Sequence, residues 1–218
     1  MLDLDADPEA VDEGLSADPQ LAGLVARSPG RRVSRTVNPA GFAVRAILGQ
    51  QVSTAAARTH AGRLVRAYGD PDSDPQGGLT HLFPTPEVLA TMDPADLSFP
   101  KSRKRTLMGL VEALALGRLD LDIGADWQEA RAKLTALHGF GPWTVESIAM
   151  RSLGDPNTFL AADLEIKIAA KRLGLPANPK SLSDHSYRWR PWRSYAVQYL
   201  WATSDHPINR MPDPAYGR

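Results

Sequence analysis

A chain of 218 residues with 43% hydrophobic content is long enough to bury a sizeable core, in one domain or in two small lobes. No apolar run approaches the ~20 residues of a membrane span, and the absence of cysteine excludes disulfides, thiolate zinc sites and Cys-ligated iron–sulfur clusters. The formal net charge of zero argues weakly against a polyanionic partner.

That average hides an asymmetry. Residues 1–18 hold seven acidic residues and no Lys or Arg, which leaves 18 acidic against 25 basic residues, or +7, in the remainder. The remainder is basic enough to hold a polyanion locally, and a merely solvated surface reads equally well from charge alone. The opening Met1-Leu2-Asp3-Leu4-Asp5 is too acidic for a secretory signal or transit peptide, so a cytoplasmic location is the default expectation. Residues 1–40 are rich in Pro, Gly and Asp, with one short apolar pattern at Leu21, Leu24 and Val25. They predict a single short helix between loops. The next helix is expected from near Phe42, with Val44, Ile47 and Leu48 inward, and is interrupted at Gly49-Gln50-Gln51-Val52. Ser53 is a good N-cap for a helix from Thr54 to about Tyr68. Two adjacent glutamines at a break can donate to and accept from base edges; surface residues in a helix–helix turn are the equal alternative.

Residues 70–84 read as a loop. Thr85-Pro86 and Asp93-Pro94 each read as an N-cap followed by proline at the first helical position, opening two short helices. The run Lys101-Ser102-Arg103-Lys104-Arg105 heads a helix whose Leu107, Leu110, Val111 and Leu114 recur at helical spacing. It serves either as a phosphate contact or as a solvated face. Asp126-Trp127-Gln128-Glu129 is a capping-box signature for a helix that reaches Leu137. A glycine-bracketed hairpin follows, then a helix from Pro142 to about Leu153 and a turn at Gly154-Asp155-Pro156. Another helix starts at Asp163 and is ended by Gly174. After a Pro/Asn/Ser-rich connection the last helix spans roughly Pro191 to Ala202, and residues 204–218 read as a tail. No run of alternating strands appears, so the expected fold class is all-α.

The segment helix, Leu137-His138-Gly139-Phe140-Gly141, helix has a physical meaning of its own. Gly139 and Gly141 permit positive φ and let another backbone approach. The N–H groups after the turn are helix-start donors, and the helix dipole adds partial positive charge, which together suit an oxyanion. The alternative is an ordinary αα-hairpin with glycines at its corner.

With Pro142-Trp143-Thr144 the hairpin resembles the helix-hairpin-helix of the DNA glycosylase superfamily that carries a hairpin, a Gly/Pro-rich loop and an aspartate. More narrowly the chain is similar to its alkylation-repair branch, the 3-methyladenine DNA glycosylases of type II. Val44–Ser53 is similar to that branch's first core helix and DNA-probing loop. Phe83–Pro86 and Phe99–Arg105 are similar to its middle region, Phe159–Lys167 to the segment with the aspartate, and Arg188–Trp201 to its last helix. The likeness covers roughly residues 18–203.

The resemblance implies two helical lobes with the active site in the cleft between them. One lobe would be about residues 40–150, the other about 18–39 plus 151–203. Residues 1–17 are similar only to the linker after a β-rich N-terminal domain in a bacterial relative, an acidic linker-like segment. The implied activity is extrusion of an alkylated purine, 3-methyladenine or 7-methylguanine, from duplex DNA and hydrolysis of its N-glycosidic bond. Asp163 matches the catalytic carboxylate; a helix N-terminus favours an anion there, though an Asp in that place is by itself most often only a cap. Trp143 and Trp201 match the aromatic positions of the base pocket, where a cationic base meets ring faces; core packing is the alternative for each. Trp127, Trp189 and Trp192 read as structural. Ser147 falls where the related enzyme has a bulky aromatic, which implies a roomier pocket. Gln51 aligns with the residue wedged into the vacated stack, and Gln50, Gly139, Phe140, Gly141 and Arg103 are implied DNA contacts. Bifunctional relatives place a Schiff-base lysine where Trp143 stands, so the implied enzyme is a monofunctional hydrolase without lyase activity. Main-chain carbonyls of Thr135, Leu137 and Phe140 are implied ligands of a monovalent cation, Na+ or K+; no other cofactor and no iron–sulfur cluster is expected. The implied partner is double-stranded DNA containing alkylated bases, met by a monomer in the bacterial cytoplasm. Two alternatives remain: a catalytically silent module that binds alkylated or abasic DNA, and a helical protein-interaction domain.

Overall fold

The computed structural model describes residues 3–73, 77–98 and 100–204. Its helices begin on a recurring signal, a short polar residue followed by proline. The polar side chain accepts a bond from an otherwise orphaned N–H, worth about 1 kcal/mol, and proline suits the first helical position. Asp7 opens α1 (Pro8–Ser16), Asp18 opens α2 (Pro19–Arg27) and Asn38 opens α3 (Pro39–Leu48). Ser53 caps α4 (Thr54–Tyr68) without a proline. Thr85 opens α5 (Pro86–Ala90), and Asp93 a single 3-10 turn at Pro94–Asp96. α6 (Lys101–Ala115) has no side-chain cap, whereas Asp126 caps α7 (Trp127–Ala136), accepting from the N–H groups of Gln128 and Glu129 at 2.8 Å. α8 (Pro142–Ile148) passes directly into a π-helical turn, Ala149–Leu153. Asp163 caps α9 (Leu164–Arg172), Asn178 opens α10 (Pro179–His185), and α11 (Arg193–Trp201) follows.

The class is all-α. Among the described residues there is no strand beyond an isolated bridge between Pro71 and His81, and no helix is long and apolar enough to cross a membrane. Three elements depart from the sequence expectation, each for a physical reason. The front of the chain carries two helices rather than one. α1 buries only Val11 and Leu15, a stripe too short to show as a period, while its start signal is Asp7-Pro8. α3 begins near Pro39 instead of Phe42 because Asn38 Oδ1 accepts from Gly41 N at 2.7 Å. α10 stands where a connection was expected; Asn178-Pro179 starts it, and Leu182 alone anchors it. The expected tail at residues 204–218 lies, beyond Ser204, outside the described residues.

The chain divides into two compact units: Thr36–Leu153, and the residues on either side of it. In Thr36–Leu153, α3 packs on α6 and α8, α5 on α6, and α7 on α8. Val44, Ile47, Leu107, Leu110, Leu134 and Ile148 form the centre of its core, all essentially sealed from solvent. An Arg131–Glu146 ion pair also joins α7 to α8.

In the flanking unit, α11 packs on α9 and α2, and α1 on α2. The acidic opening, expected as a linker-like segment, is here part of the packing. Tyr195 donates its hydroxyl to Asp3, which also pairs with Arg35, and Tyr199 donates to Asp12 Oδ1 at 2.6 Å. Burial and the Asp3 carboxylate push the Tyr195 phenol well above its ordinary value; burial and the bond to Asp12 push Tyr199 up to about 12. Asp18 is a second anchor. Beyond capping α2, its Oδ2 accepts from Trp189 Nε1 at 2.7 Å and meets His185 Nε2 at 2.9 Å. Burial alone would raise its pKa, but the bonds from Trp189, Gln20 and His185 together hold it below the usual carboxylate value.

Candidate functional site

The hairpin between α7 and α8 lies in the Thr36–Leu153 unit. α7 ends at Ala136, Leu137 turns the chain out of the helix with ψ of 136°, and Phe140 N returns to Leu137 O at 3.3 Å. Gly139 sits at φ +81°, where an added Cβ would lie 2.1 Å from Thr106 Oγ1 on α6. Glycine is therefore required twice over, by backbone and by space. Gly141 differs from expectation. Its φ is −86°, ordinary for any residue, and it serves as the N-cap of α8. Its glycine character shows in what surrounds it: a Cβ there would meet nothing within 4 Å, so its face is open to an approaching group. Thr144 and Val145 N–H turn back onto Gly141 O, while among the described residues neither the Gly139 nor the Gly141 N–H has an acceptor. Two N–H groups without an acceptor, on either side of Phe140 and just ahead of α8, are elements that an anion site can use.

The same hairpin presents acceptors. Among the described residues, the carbonyls of Thr135 and Phe140 receive no bond, and that of Leu137 receives only the one from Phe140 N. Neutral main-chain oxygens with unused lone pairs are the donor set a hard monovalent cation takes, so the residues present fit such an ion.

The break between α3 and α4 lies in the same unit. Gln51 is exposed and holds φ +56°, a left-handed conformation that costs a non-glycine residue of the order of 1 kcal/mol. Gln50 behaves differently from its neighbour. Its Nε2 donates to Gly139 O at 3.3 Å and to Thr144 Oγ1 at 3.1 Å, so the amide expected to probe base edges is bound to the hairpin. Trp143, at 37% exposure, is not a core residue. Ser147, one turn further along α8, is buried, and its Oγ has no partner among the described residues. Arg103 lies in the first turn of α6, beside Lys101 and Lys104; that turn contains no acidic residue.

In the flanking unit, Asp163 stands at the N-cap of α9. Its Oδ1 accepts from Ile166 N at 3.1 Å, the capping bond, and from Trp201 Nε1, also at 3.1 Å. Trp201 thus offers Asp163 its polar edge, a role that the aromatic reading of the sequence did not contain. Of the other tryptophans, Trp189 is sealed in the core and Trp192 stacks edge-on against Tyr195, with ring centroids 5.6 Å apart. Trp127, expected to be structural, is 41% exposed at the start of α7 and contributes little to the core. Two residues that matter to the geometry, Thr106 and Thr144, gave no signal: each sits in a helix as an unremarkable polar residue, and only its contact with the hairpin distinguishes it.

Comparison with known proteins bears on the family and the fold. The model of the HhH-GPD superfamily base excision DNA repair protein matches residues 44–192, and that of the AlkA N-terminal domain matches residues 1–38. A probable bifunctional transcriptional activator/DNA repair enzyme AlkA of Mycobacterium tuberculosis is 60% identical over 212 residues, covering 97% of this chain but only 43% of that protein. The chain therefore spans less than half the length of that relative. DNA-3-methyladenine glycosylase 2 of Escherichia coli is 33% identical over 206 residues, covering 93% of this chain and 69% of the relative. Among solved structures, the DNA-3-methyladenine glycosidase of Bacillus halodurans superposes with a TM-score of 0.70 at 27% identity, over 91% of this chain and 90% of that one.

Proposed function

The chain belongs to the HhH-GPD superfamily of base excision DNA repair proteins, and from that membership we propose that it excises alkylated purines, 3-methyladenine and 7-methylguanine, from double-stranded DNA. The observation that carries the reading is Asp163: a carboxylate at a helix start, one oxygen held by a main-chain N–H and by an indole N–H. A positioned carboxylate stabilises the positive charge that develops on the sugar as the glycosidic bond breaks, and it orients the incoming water onto C1′. An alkylated purine already carries positive charge, so it leaves without a general acid.

The hairpin supports the binding half of the reading. Gly139 and Gly141 present N–H donors to a phosphate of the damaged strand, while Thr135, Leu137 and Phe140 would hold a monovalent cation whose charge adds to that attraction. The first turn of α6 adds to the case. Lys101, Arg103 and Lys104 gather basic side chains there, which would attract a polyanion. Gln51, exposed and strained, fills the gap left by the flipped nucleotide, and Trp143 and Ser147 contribute to the base pocket. With Trp143 rather than an amine after the hairpin, the protein acts as a hydrolase without strand cleavage.

The test is release of free base from methylated duplex by the parent and by Asp163→Asn. The parent should release 3-methyladenine and 7-methylguanine. If Asp163→Asn matches its rate, the assigned mechanism is wrong; if the parent binds abasic duplex but releases nothing, the protein is a damage-binding module.

A further inference from the structure

Gln50 and Gln51 are neighbours with opposite commitments. Gln51 reaches outward from a left-handed backbone. The Gln50 amide faces inward, onto a segment some ninety residues away in the chain, where it donates to Gly139 O and Thr144 Oγ1. The carbonyl of Gly139 can only accept, so it is the amide nitrogen that faces it, and both of its hydrogens are used. Thr144 is 4% exposed, so its hydroxyl is dry and depends on a protein partner. A Gln50 that read base edges would first have to abandon two bonds and leave a buried hydroxyl unpaired. The hairpin is held a second time at the same residue, since Thr106 occupies the space beside Gly139.

Resting on the reading of the hairpin as phosphate clamp and Gln51 as wedge, we propose that Gln50 is a positioning residue that locks the probing loop to the clamp. Its amide sets the register between the side chain that enters the stack and the donors that grip the backbone. Phosphate capture and filling of the vacated space then proceed as one rigid movement, with no separate ordering of the loop. The consequence falls on extrusion of the nucleotide rather than on bond cleavage. A lesion that is already unpaired does not need the lock.

The experiment uses Gln50→Ala, Thr144→Val and the double variant of the full chain, each first checked for parental melting temperature. Single-turnover excision of 7-methylguanine is measured in duplex, opposite each of the four bases, and in single-stranded DNA. Each single variant should slow duplex excision about tenfold, the scale of one or two lost hydrogen bonds. The double variant should be no slower than the worse single one, because both remove the same contact. Excision from single-stranded DNA should stay within about twofold of the parent. Parental rates in duplex for both single variants would overturn the proposal. So would a changed opposite-base preference in Gln50→Ala that Thr144→Val does not reproduce, since that marks a direct reader. If the parent releases no base from either substrate, it is the glycosylase reading that fails; the lock is then read from affinity for abasic duplex, where both variants should weaken binding about tenfold and unchanged affinity sinks it.

Discussion

The hairpin and the Asp163 site are built from different materials. In the proposed reading the hairpin would work through main-chain groups: N–H donors at Gly139 and Gly141, carbonyls at Thr135, Leu137 and Phe140. Its side chains matter mainly where they shape the backbone, as Thr106 and Gln50 do. The proposed aspartate site would work through one side chain, which an indole N–H holds. In the same unit, carboxylates recur as structural parts: Asp3 and Asp12 accept from phenols, and Asp18 from an indole, with an imidazole beside it. A backbone site tolerates most substitutions but fails where glycine is required. A side-chain site fails at single atoms.

That contrast can be broken by experiment. The largest effect is expected at Asp163→Asn. The amide keeps the capping acceptor, so the fold should survive, while excision falls about a thousandfold and affinity for abasic duplex is retained. Equal loss of binding and excision would erase the distinction between the two sites. Asp18→Ala removes a cap and strands the buried Trp189 N–H, and should cost about 3 kcal/mol in denaturant unfolding. Because the Asp18 pKa is depressed on folding, its contribution is present above the ordinary value of 3.8 and is lost as pH falls through the lower folded value. The parent's melting temperature should therefore drop in that acid window, and less steeply in Asp18→Asn; equal slopes would remove Asp18 from the account. Gly139→Ala forces a Cβ against Thr106 at positive φ and should cost about 2 kcal/mol, partly recovered by Thr106→Ala, as calorimetry can show. Trp201→Phe keeps a ring but loses the donor to Asp163. It should lower the excision rate about tenfold with little change in duplex affinity, measured by single-turnover kinetics against anisotropy. The smallest effect is on the fold of Gly141→Ala: less than about 0.5 kcal/mol, because nothing occupies the space, while a weaker grip on abasic duplex would mark that face as the phosphate's.

Much of this was legible in the residues, and the limits have physical causes. α6, with its apolar period, and α7, with its capping residue, declared themselves because local chemistry alone dictates them. Positive φ was allowed at both hairpin glycines and only Gly139 adopts it; a glycine kept for its open face, as at Gly141, looks in sequence like one kept for its backbone. α10, anchored only by Leu182, was hidden in a polar stretch whose start signal was the Asn178-Pro179 pair. Gln50 and Gln51 are chemically identical and adjacent, so residue type could not divide their work; only the fold sends one amide to the hairpin and leaves the other outside. The Trp201 bond to Asp163 joins positions 38 residues apart, a relation that no local pattern encodes.

The phenol–carboxylate contacts of the acidic opening also fix where the protein can be cut. A version shortened to begin at Asp18 would lose Asp3 and Asp12 together. Tyr195 and Tyr199, four residues apart on α11, would then lose the acceptors of both hydroxyls, on the helix that ends in Trp201. The smallest workable version therefore keeps residues 3–17, although they contain none of the residues assigned to the chemistry.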